Sequence, residues 1–250
     1  MTAVEFSDQF DVLYNNITSN AAPGLNEYEK SVFLTKAQDE VVKNYFNPKG
    51  NKYQEGFDGS AKRQIDFSKL MKAASISLST SNTSFDARAK VGTLPSDVLV
   101  VINEVIALTS GGAPAGTRQV IPITYEEYTR LMSKPYKEPL KNQAWRLITG
   151  QTSAATIEVI INNNDIAKSP AYKIRYVRKP SPIIVANLAS AVGDGVTVGG
   201  SAVLTECELD PSIHQEILQR AVELAKAAYA ADQSGQVQLQ NQMTVGQRSE

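Results

Sequence analysis

The stretch DVLVVINEVIALT, residues 97–109, decides the fold class of this 250-residue chain. It is apolar and rich in β-branched side chains, which is typical of a buried strand or of a pair of strands. Ser75–Ser79 precedes it and alternates between polar and apolar residues, in the manner of a half-buried strand. Further strand candidates follow it at residues 119–123, 144–148, 156–161, 172–178 and 183–188. The middle of the chain is therefore predicted to be rich in β-structure.

Helical periodicity dominates the N-terminal part of the chain. Over roughly Val4–Thr18, apolar residues recur every three or four positions and form one helix face. A second helix is predicted over NEYEKSVFLTKAQDEVVKNYF, residues 26–46, where Asn26 and Glu29 fit the spacing of a capping box. Because a short link separates the two helices, we expect them to pack as a helical hairpin. The polar stretch 47–62 after them is predicted to be a mobile loop.

Two more helices are predicted from their N-terminal signals. Thr124 and Glu127 form a capping-box pair ahead of a short helix in the middle of the strand region. The stretch ELDPSIHQEILQRAVELAKAAYAAD, residues 208–232, predicts a longer C-terminal helix. There Asp210 is a favourable N-cap and Pro211 occupies the first helical position.

The order of helices, then many strands, then a helix favours an α+β fold. We expect the N-terminal helical hairpin and the C-terminal helix to form a helical bundle, with a mainly antiparallel β region inserted between them. A parallel doubly wound sheet is disfavoured, because the strands do not alternate regularly with crossover helices. The predicted segments are 1–70 with the N-terminal helices and the mobile loop, 71–205 with the β region, 206–231 with the C-terminal helix, and an extended tail at 232–250.

Composition narrows the classes of function. The net charge of −1 provides no overall basic field for nucleic acid, and it permits association between copies of the chain. A single cysteine forms no internal disulfide, and one cysteine with one histidine makes no zinc site of the usual kind. No apolar run approaches the length of a membrane span, so contact with a membrane is not expected.

His214 and Cys207, single examples of their residue types, are the candidates for chemistry. His214 has the chemistry of a general base, and the following helix N-terminus could lower the pKa of Cys207. However, Glu206 and Glu208 flank the cysteine and favour its protonated thiol. No nucleophile motif accompanies the histidine. We therefore predict structural roles for both, and no catalytic, cofactor-binding or metal-binding residue.

Other candidate motifs also have structural interpretations. Gly111–Gly116 lacks the Lys-Ser/Thr pair of a phosphate-binding loop, so a hairpin tip is predicted. Gly193–Gly195 does not fit a dinucleotide fingerprint. Lys173 and Arg175 alternate with Tyr172, Ile174 and Tyr176, which predicts the solvent face of a strand. The alternative is sequence-independent contact with DNA backbone phosphates, for which the candidate cations are Lys62, Arg63, Arg175, Arg178 and Lys179. Trp145 is predicted to be a core or interface anchor.

Several longer blocks of the sequence carry a family resemblance. They are YEKSVFLTKAQDEVVKNYF (28–46), LPSDVLVVINEVI (94–106), VIPITYEEYTRLMSKPYKEPLKNQAWRL (120–147), YKIRYVRKPSPIIV (172–185) and ECELDPSIHQEILQRAVELAKAAY (206–229). Together they resemble a virion structural protein of crAss-like bacteriophages and related phages of Bacteroidota. In that family such a protein is similar to a head-to-tail connector, an adaptor ring docked beneath the portal.

The resemblance implies a homo-oligomeric ring of about twelve copies, a dodecamer, in the neck or tail of the virion. Its implied partners are copies of itself, the portal protein and neighbouring tail ring proteins, with non-specific passage of DNA and assembly in the host cytoplasm. It implies no cofactor, metal or catalytic residue. Two alternatives stay open at this point. One is a tail-tube or tail-hub ring subunit, and the other is an uncharacterised enzyme centred on His214 or Cys207.

Overall fold

A computed structural model describes most of the chain, in two compact units. The described residues are 1–15, 24–46, 61–80, 84, 86–133, 138–151, 154–193 and 195–246. The first unit comprises Met1–Leu70 and Pro180–Glu250, and the second comprises Met71–Lys179. The four-segment organisation predicted from the sequence stays a prediction. Most of the predicted loop at 47–62 lies outside the described residues, which resume at Ala61.

The strands lie in the middle of the chain with one short α-helix among them, and the other α-helices lie toward the two ends. The α-helices in the described ranges are α1 Ala3–Asn15, α2 Glu27–Phe46, α3 Ala61–Asp66, α4 Tyr125–Met132, α5 Leu188–Ala191 and α6 Pro211–Gly246. The strands in the same ranges are β1 Met71–Ser77, β2 Ala89–Thr93, β3 Val98–Ser110, β4 Ala113–Pro122, β5 Gln143–Gln151, β6 Ala155–Ile160 and β7 Ser169–Arg178. All of these strands belong to the second unit.

The strands form one curled, seven-stranded sheet in the order β1-β7-β3-β4-β5-β6-β2. Neighbouring strands are antiparallel except β4 and β5, which are parallel and are connected along the chain through α4. Just beyond β1, Ser79 exchanges two backbone hydrogen bonds with Val91 of β2, of 2.9 and 2.7 Å. The two ends of the sheet therefore meet.

The inner face of the curled sheet holds the larger apolar core of the second unit. Tyr172, Ile174 and Tyr176 lie on this face, as the alternation in the sequence predicts, while Lys173 and Arg175 are exposed. The other buried members of this core are Leu94, Ile106, Leu108, Val120, Ala144, Ile157, Val159 and Ile161. A smaller cluster forms where Tyr128 and Leu131 of α4 pack beside buried Trp145. The tryptophan is thus a core residue, as predicted.

In the first unit, α1 and α2 pack mainly against α6. The buried side chains of α6 are Ile213, His214, Ile217, Leu218, Ala221, Val222 and Ala225. The side of α2 that carries Tyr28 and Val32 packs on Ile184, Leu188 and Val198, which lie in the largely irregular segment before α6 that includes the short helix α5. The core of this unit therefore combines helices with irregular chain.

The predicted helical bundle with an inserted β region is wrong, although the broad α+β class holds. The seven-stranded sheet dominates the fold, and the few helices do not form a bundle into which a β region is inserted. Two physical reasons explain the correction. The apolar faces of α1 and α2 turn mainly to α6 instead of to each other, so no separate hairpin forms. The irregular segment covers part of α2, where a bundle would place another helix.

Residues 183–188 do not form the predicted strand. Ile183 exchanges hydrogen bonds of 3.1 and 3.3 Å with the hydroxyl of Thr35, and the amide of Val185 donates to Ser31 Oγ at 3.2 Å. Side chains of α2 thus satisfy backbone groups that a neighbouring strand would otherwise pair with. Only a single bridge, between Ile184 and Thr205, resembles strand pairing here.

The predicted helix starts are confirmed. Thr124 and Glu127 make both hydrogen bonds of the capping box, and Asn26 and Glu29 make the equivalent pair. Asp210 accepts a hydrogen bond from the Ser212 amide at 3.0 Å at the start of α6. The end of α6 differs from expectation, since the helix continues to Gly246 where an extended tail was predicted. Glutamine and methionine favour helices nearly as well as alanine does, which is compatible with this continuation.

Candidate assembly surface

His214 lies in the core of the first unit and is only 3% exposed. Its Nε2 is 3.1 Å from the carbonyl oxygen of Leu209, which only accepts, so Nε2 carries the proton and donates. Its Nδ1 then accepts from the amine of Met1 at 2.8 Å. Burial lowers the pKa of His214, and the positive Met1 amine lowers it further. The imidazole therefore joins the start of α6 to the start of α1 as a neutral ring.

Cys207 is buried in the same unit, where its Sγ donates to Oε1 of Gln38 at 3.5 Å. Burial raises the pKa of the Cys207 thiol to about 11. A protonated thiol is a poor nucleophile, and the cysteine and histidine have different hydrogen-bond partners. The geometry thus brings together no catalytic pair from these two candidates.

No cluster of three or more His, Cys, Asp or Glu side chains in the described part of the chain is arranged to hold a metal ion. Among the same residues, no helix combines the length and the apolar character needed to cross a membrane.

The glycine stretch after β3 forms the predicted hairpin tip. Gly111 and Gly112 join β3 to β4, with positive φ angles of 59° and 83°. Both angles lie in the left-handed region that suits glycine, as a tight hairpin turn requires. An ion pair between Arg118 of β4 and buried Asp165 lies in the same unit, at 2.8 Å. These features maintain the sheet and form no phosphate-binding loop.

The outer face of β1, β7 and β3 carries a shallow groove with a volume of about 560 Å³, here called the basic groove. It is lined by Ala73, Ser75, Asn103, Val105, Lys173 and Arg175, together with Ala74 and Ile174, whose side chains belong to the inner core. Strand register brings them together, because Ala73 pairs with Arg175 and Ser75 pairs with Lys173. Neither cation makes an ion pair within the described residues, and no carboxylate lines the groove. The groove therefore presents two unneutralised positive charges beside small side chains.

The two units carry opposite net charges. Residues 71–179, here called the basic unit, contain 14 Lys and Arg against 8 Asp and Glu, a net charge of +6. Residues 1–70 with 180–250, here called the acidic unit, contain 11 Lys and Arg against 18 Asp and Glu, a net charge of −7. The overall charge of −1 conceals this separation. Opposite net charges on the two units favour attraction between unlike units over attraction between like units.

Comparison with known proteins identifies the family. The profile described as phage tail ring protein 3/4 matches residues 1–237. The chain is 58% identical to ring protein 4/5 of Bacteroides phage crAss001 over 252 aligned residues, which cover all of both chains. It is 30% identical to ring protein 3 of the same phage over 236 residues, 90% of this chain and 95% of the relative.

The chain therefore belongs to the phage tail ring protein 3/4 family, a family of crAss-like phage structural proteins. This confirms the resemblance derived from the sequence blocks. It also makes the protein a structural ring subunit of the tail or neck region of a phage particle. Exposed Lys173 and Arg175 were found from the alternation of β7, whereas their neighbours Ala73, Ser75 and Asn103 were missed. Sequence offers no signal for them, since they join the groove only through pairing between distant strands.

Proposed function

We propose that the chain forms a head-to-tail connector ring that joins the capsid portal to the tail and surrounds part of the DNA passage. The observation that carries this proposal is the full-length, 58% identity to a protein named as a ring protein. Copies of the chain would form a closed ring of about twelve subunits, and a closed ring requires each subunit to present two different surfaces. The opposite net charges of the acidic and basic units supply such surfaces.

Electron microscopy of assembled virions tests whether the chain lies between the portal and the tail. We expect density for the chain to form a ring centred on the axis that joins portal and tail, in direct contact with the portal. The mass of the purified chain should rise when portal protein is added, as measured by light scattering after size-exclusion chromatography. Density away from the axis, or a ring without portal contact, would contradict the connector role.

A tail ring located farther from the portal is the second candidate function. The family description, which names the tail, favours it. The existence of two related ring proteins in one phage is also compatible with several ring layers in a particle. The same microscopy separates the candidates, because a tail-tube or tail-hub ring would contact other tail proteins and leave the portal free.

Passage of DNA through the ring is part of the connector proposal. Such passage needs weak contacts, since a strongly basic lining would retain the duplex. We therefore expect purified rings to bind duplex DNA weakly and with little sequence preference. Tight, sequence-selective binding would contradict a role as a passage. Our proposal includes no enzymatic activity, since the relatives are named for their place in a ring.

A further inference from the structure

We propose that the basic groove of one copy binds helix α1 of another copy, and that this contact closes the ring. The inference rests on the proposed function, because it needs a ring built from copies of this chain. It assigns the two surfaces of the heterologous contact to particular residues. The receiving surface belongs to the basic unit, and the inserted helix belongs to the acidic unit of the next copy.

The groove is suited to a negatively charged partner with short apolar side chains. Lys173 and Arg175 extend from β7 and are exposed, without an ion pair in the described part of the chain. Beside them, Ala73 and Ser75 of β1 leave room because their side chains are small. Val105 of β3 adds an apolar wall. A carboxylate entering between the two cations would gain attraction, and its apolar neighbours would lose contact with water.

Helix α1 has the complementary character. It contains three acidic residues and no Lys or Arg, and Asp8 is exposed without a partner in the described residues. Val4 and Val12 are 59% and 64% exposed. Val4, Asp8 and Val12 are spaced by four positions, so they form one strip along the helix. The opposite side of α1 packs inside its own unit through Ala3, Phe6, Phe10 and Tyr14.

The dimensions of the strip and of the groove agree. Val4 and Val12 are eight positions apart, which gives about 12 Å along a helix. Three neighbouring strands span about 10 Å from the first to the third. Asp8 lies halfway along the strip, so its carboxylate would reach the central strand β7, where Lys173 and Arg175 lie. The flanking valines would then lie over β1 and β3.

Two other occupants fit less well. Proteins that bind duplex DNA through its phosphates use many cations, whereas this groove has two, next to apolar side chains. The loop with Val203, Leu204 and Glu206 is also exposed and contains an acid. It lacks the regular spacing that places an acid between two apolar side chains. We therefore assign the groove to α1, and both alternatives become outcomes of the test.

Substitutions that reverse the charges of the groove and of α1 test the contact. The groove variant carries Lys173→Glu and Arg175→Glu, and the helix variant carries Asp8→Lys. All three side chains are exposed, so circular dichroism should show that the fold is retained. At about 0.1 M salt, where exposed charges interact over about 10 Å, we expect each variant alone to lose the oligomer that the wild-type chain forms in sedimentation velocity. An equimolar mixture, and a chain with all three substitutions, should regain it.

Several results would overturn the contact. They are unchanged assembly of either variant, loss of assembly without rescue in the mixture, and a wild-type chain that stays monomeric. Glu206→Lys is the matched control, and loss of assembly in that variant with normal assembly of Asp8→Lys would move the contact to the loop at 203–206. Normal assembly of the groove variant together with lost binding to a duplex DNA probe would assign the groove to DNA. None of these outcomes decides the connector proposal, because electron microscopy of assembled virions tests that proposal independently.

Discussion

Arg146 of β5 reaches across the inner face of the curled sheet to Glu104 of β3 with two hydrogen bonds of 2.7 and 3.0 Å. Both side chains are only 11% exposed, and Tyr172 of β7 donates its hydroxyl to the same carboxylate. Burial and the negative neighbour raise the pKa of Tyr172, so its phenol remains a donor. The three residues link strands that are separated along the sequence.

Removal of one partner of this ion pair should lower the free energy of unfolding. Arg146→Met leaves Glu104 charged and largely buried, and the loss of a buried partner typically costs about 3 kcal/mol of unfolding free energy or more. We expect the double variant Glu104→Gln with Arg146→Met to recover a large part of the loss. Urea denaturation of the two single variants and the double variant measures this coupling. Additive losses would show that the pair is not coupled.

Glu158 of β6 is predicted to destabilise the protein at neutral pH. It is 5% exposed, and burial raises its pKa above the ordinary value of 4.5. The native state therefore favours the protonated carboxyl, so stability is greatest below that ordinary value and falls as the pH rises through the native pKa. Glu158→Gln should raise the thermal midpoint at pH 8 by more than at pH 5. Glu126→Gln on exposed α4 is the control. An equal shift at both pH values would contradict the prediction.

His214 should make the protein sensitive to mild acid. Its native pKa lies below the ordinary value of 6.5, so the unfolded chain takes up a proton first as the pH falls. Stability is therefore full above pH 6.5 and decreases as the pH falls toward the native pKa. We expect His214→Gln to be less stable than wild type at pH 7.5, with a flatter profile between pH 7 and pH 5. Since the chain has no other histidine, a profile unchanged by the substitution would assign the acid sensitivity to carboxyl groups.

Gly92 of β2 is predicted to be required where the ends of the sheet meet. A Cβ atom there would lie 2.6 Å from Cδ2 of Leu78 and 3.1 Å from Cγ2 of Ile76. Gly92→Ala should therefore force the end of the Leu78 side chain to move, at a cost of about 1 kcal/mol, the low end of the range for overpacking, because that chain end is flexible. Gly150→Ala in β5 is the matched control, because an added Cβ at Gly150 meets nothing within 4 Å. Equal stability of the two variants in urea denaturation would contradict the prediction.

Sequence patterns within a few residues predicted the helices and strands better than they predicted which strands pair in the sheet. The capping box at Thr124 fixed the start of α4, because both partners lie within one turn. The alternation of β7 correctly separated Tyr172 from Lys173. In contrast, β2 has a lysine and a glycine among five residues, so it shows no clear strand pattern. The parallel pairing of β4 with β5 depends on the return of the chain through α4, which local periodicity does not encode.

Pairing between distant strands also limited the prediction of the basic groove. Sequence alternation placed Lys173 and Arg175 on an exposed face, whereas their position opposite Ser75 and Ala73 follows from a register between strands almost 100 residues apart. Residues 183–188 show the opposite failure. Their composition is typical of a strand. However, the hydroxyls of Ser31 and Thr35 make hydrogen bonds with backbone groups that would pair with a neighbouring strand in a sheet.

The separation of +6 and −7 between the two units has a consequence for the symmetry of any self-assembly. At the axis of a two-fold dimer the same patch of both copies meets, so like charge faces like charge there unless each acidic unit contacts the basic unit of the other copy. Head-to-tail addition avoids this repulsion at every step. The opposite charges of the two units therefore favour contacts between the basic unit of one copy and the acidic unit of another.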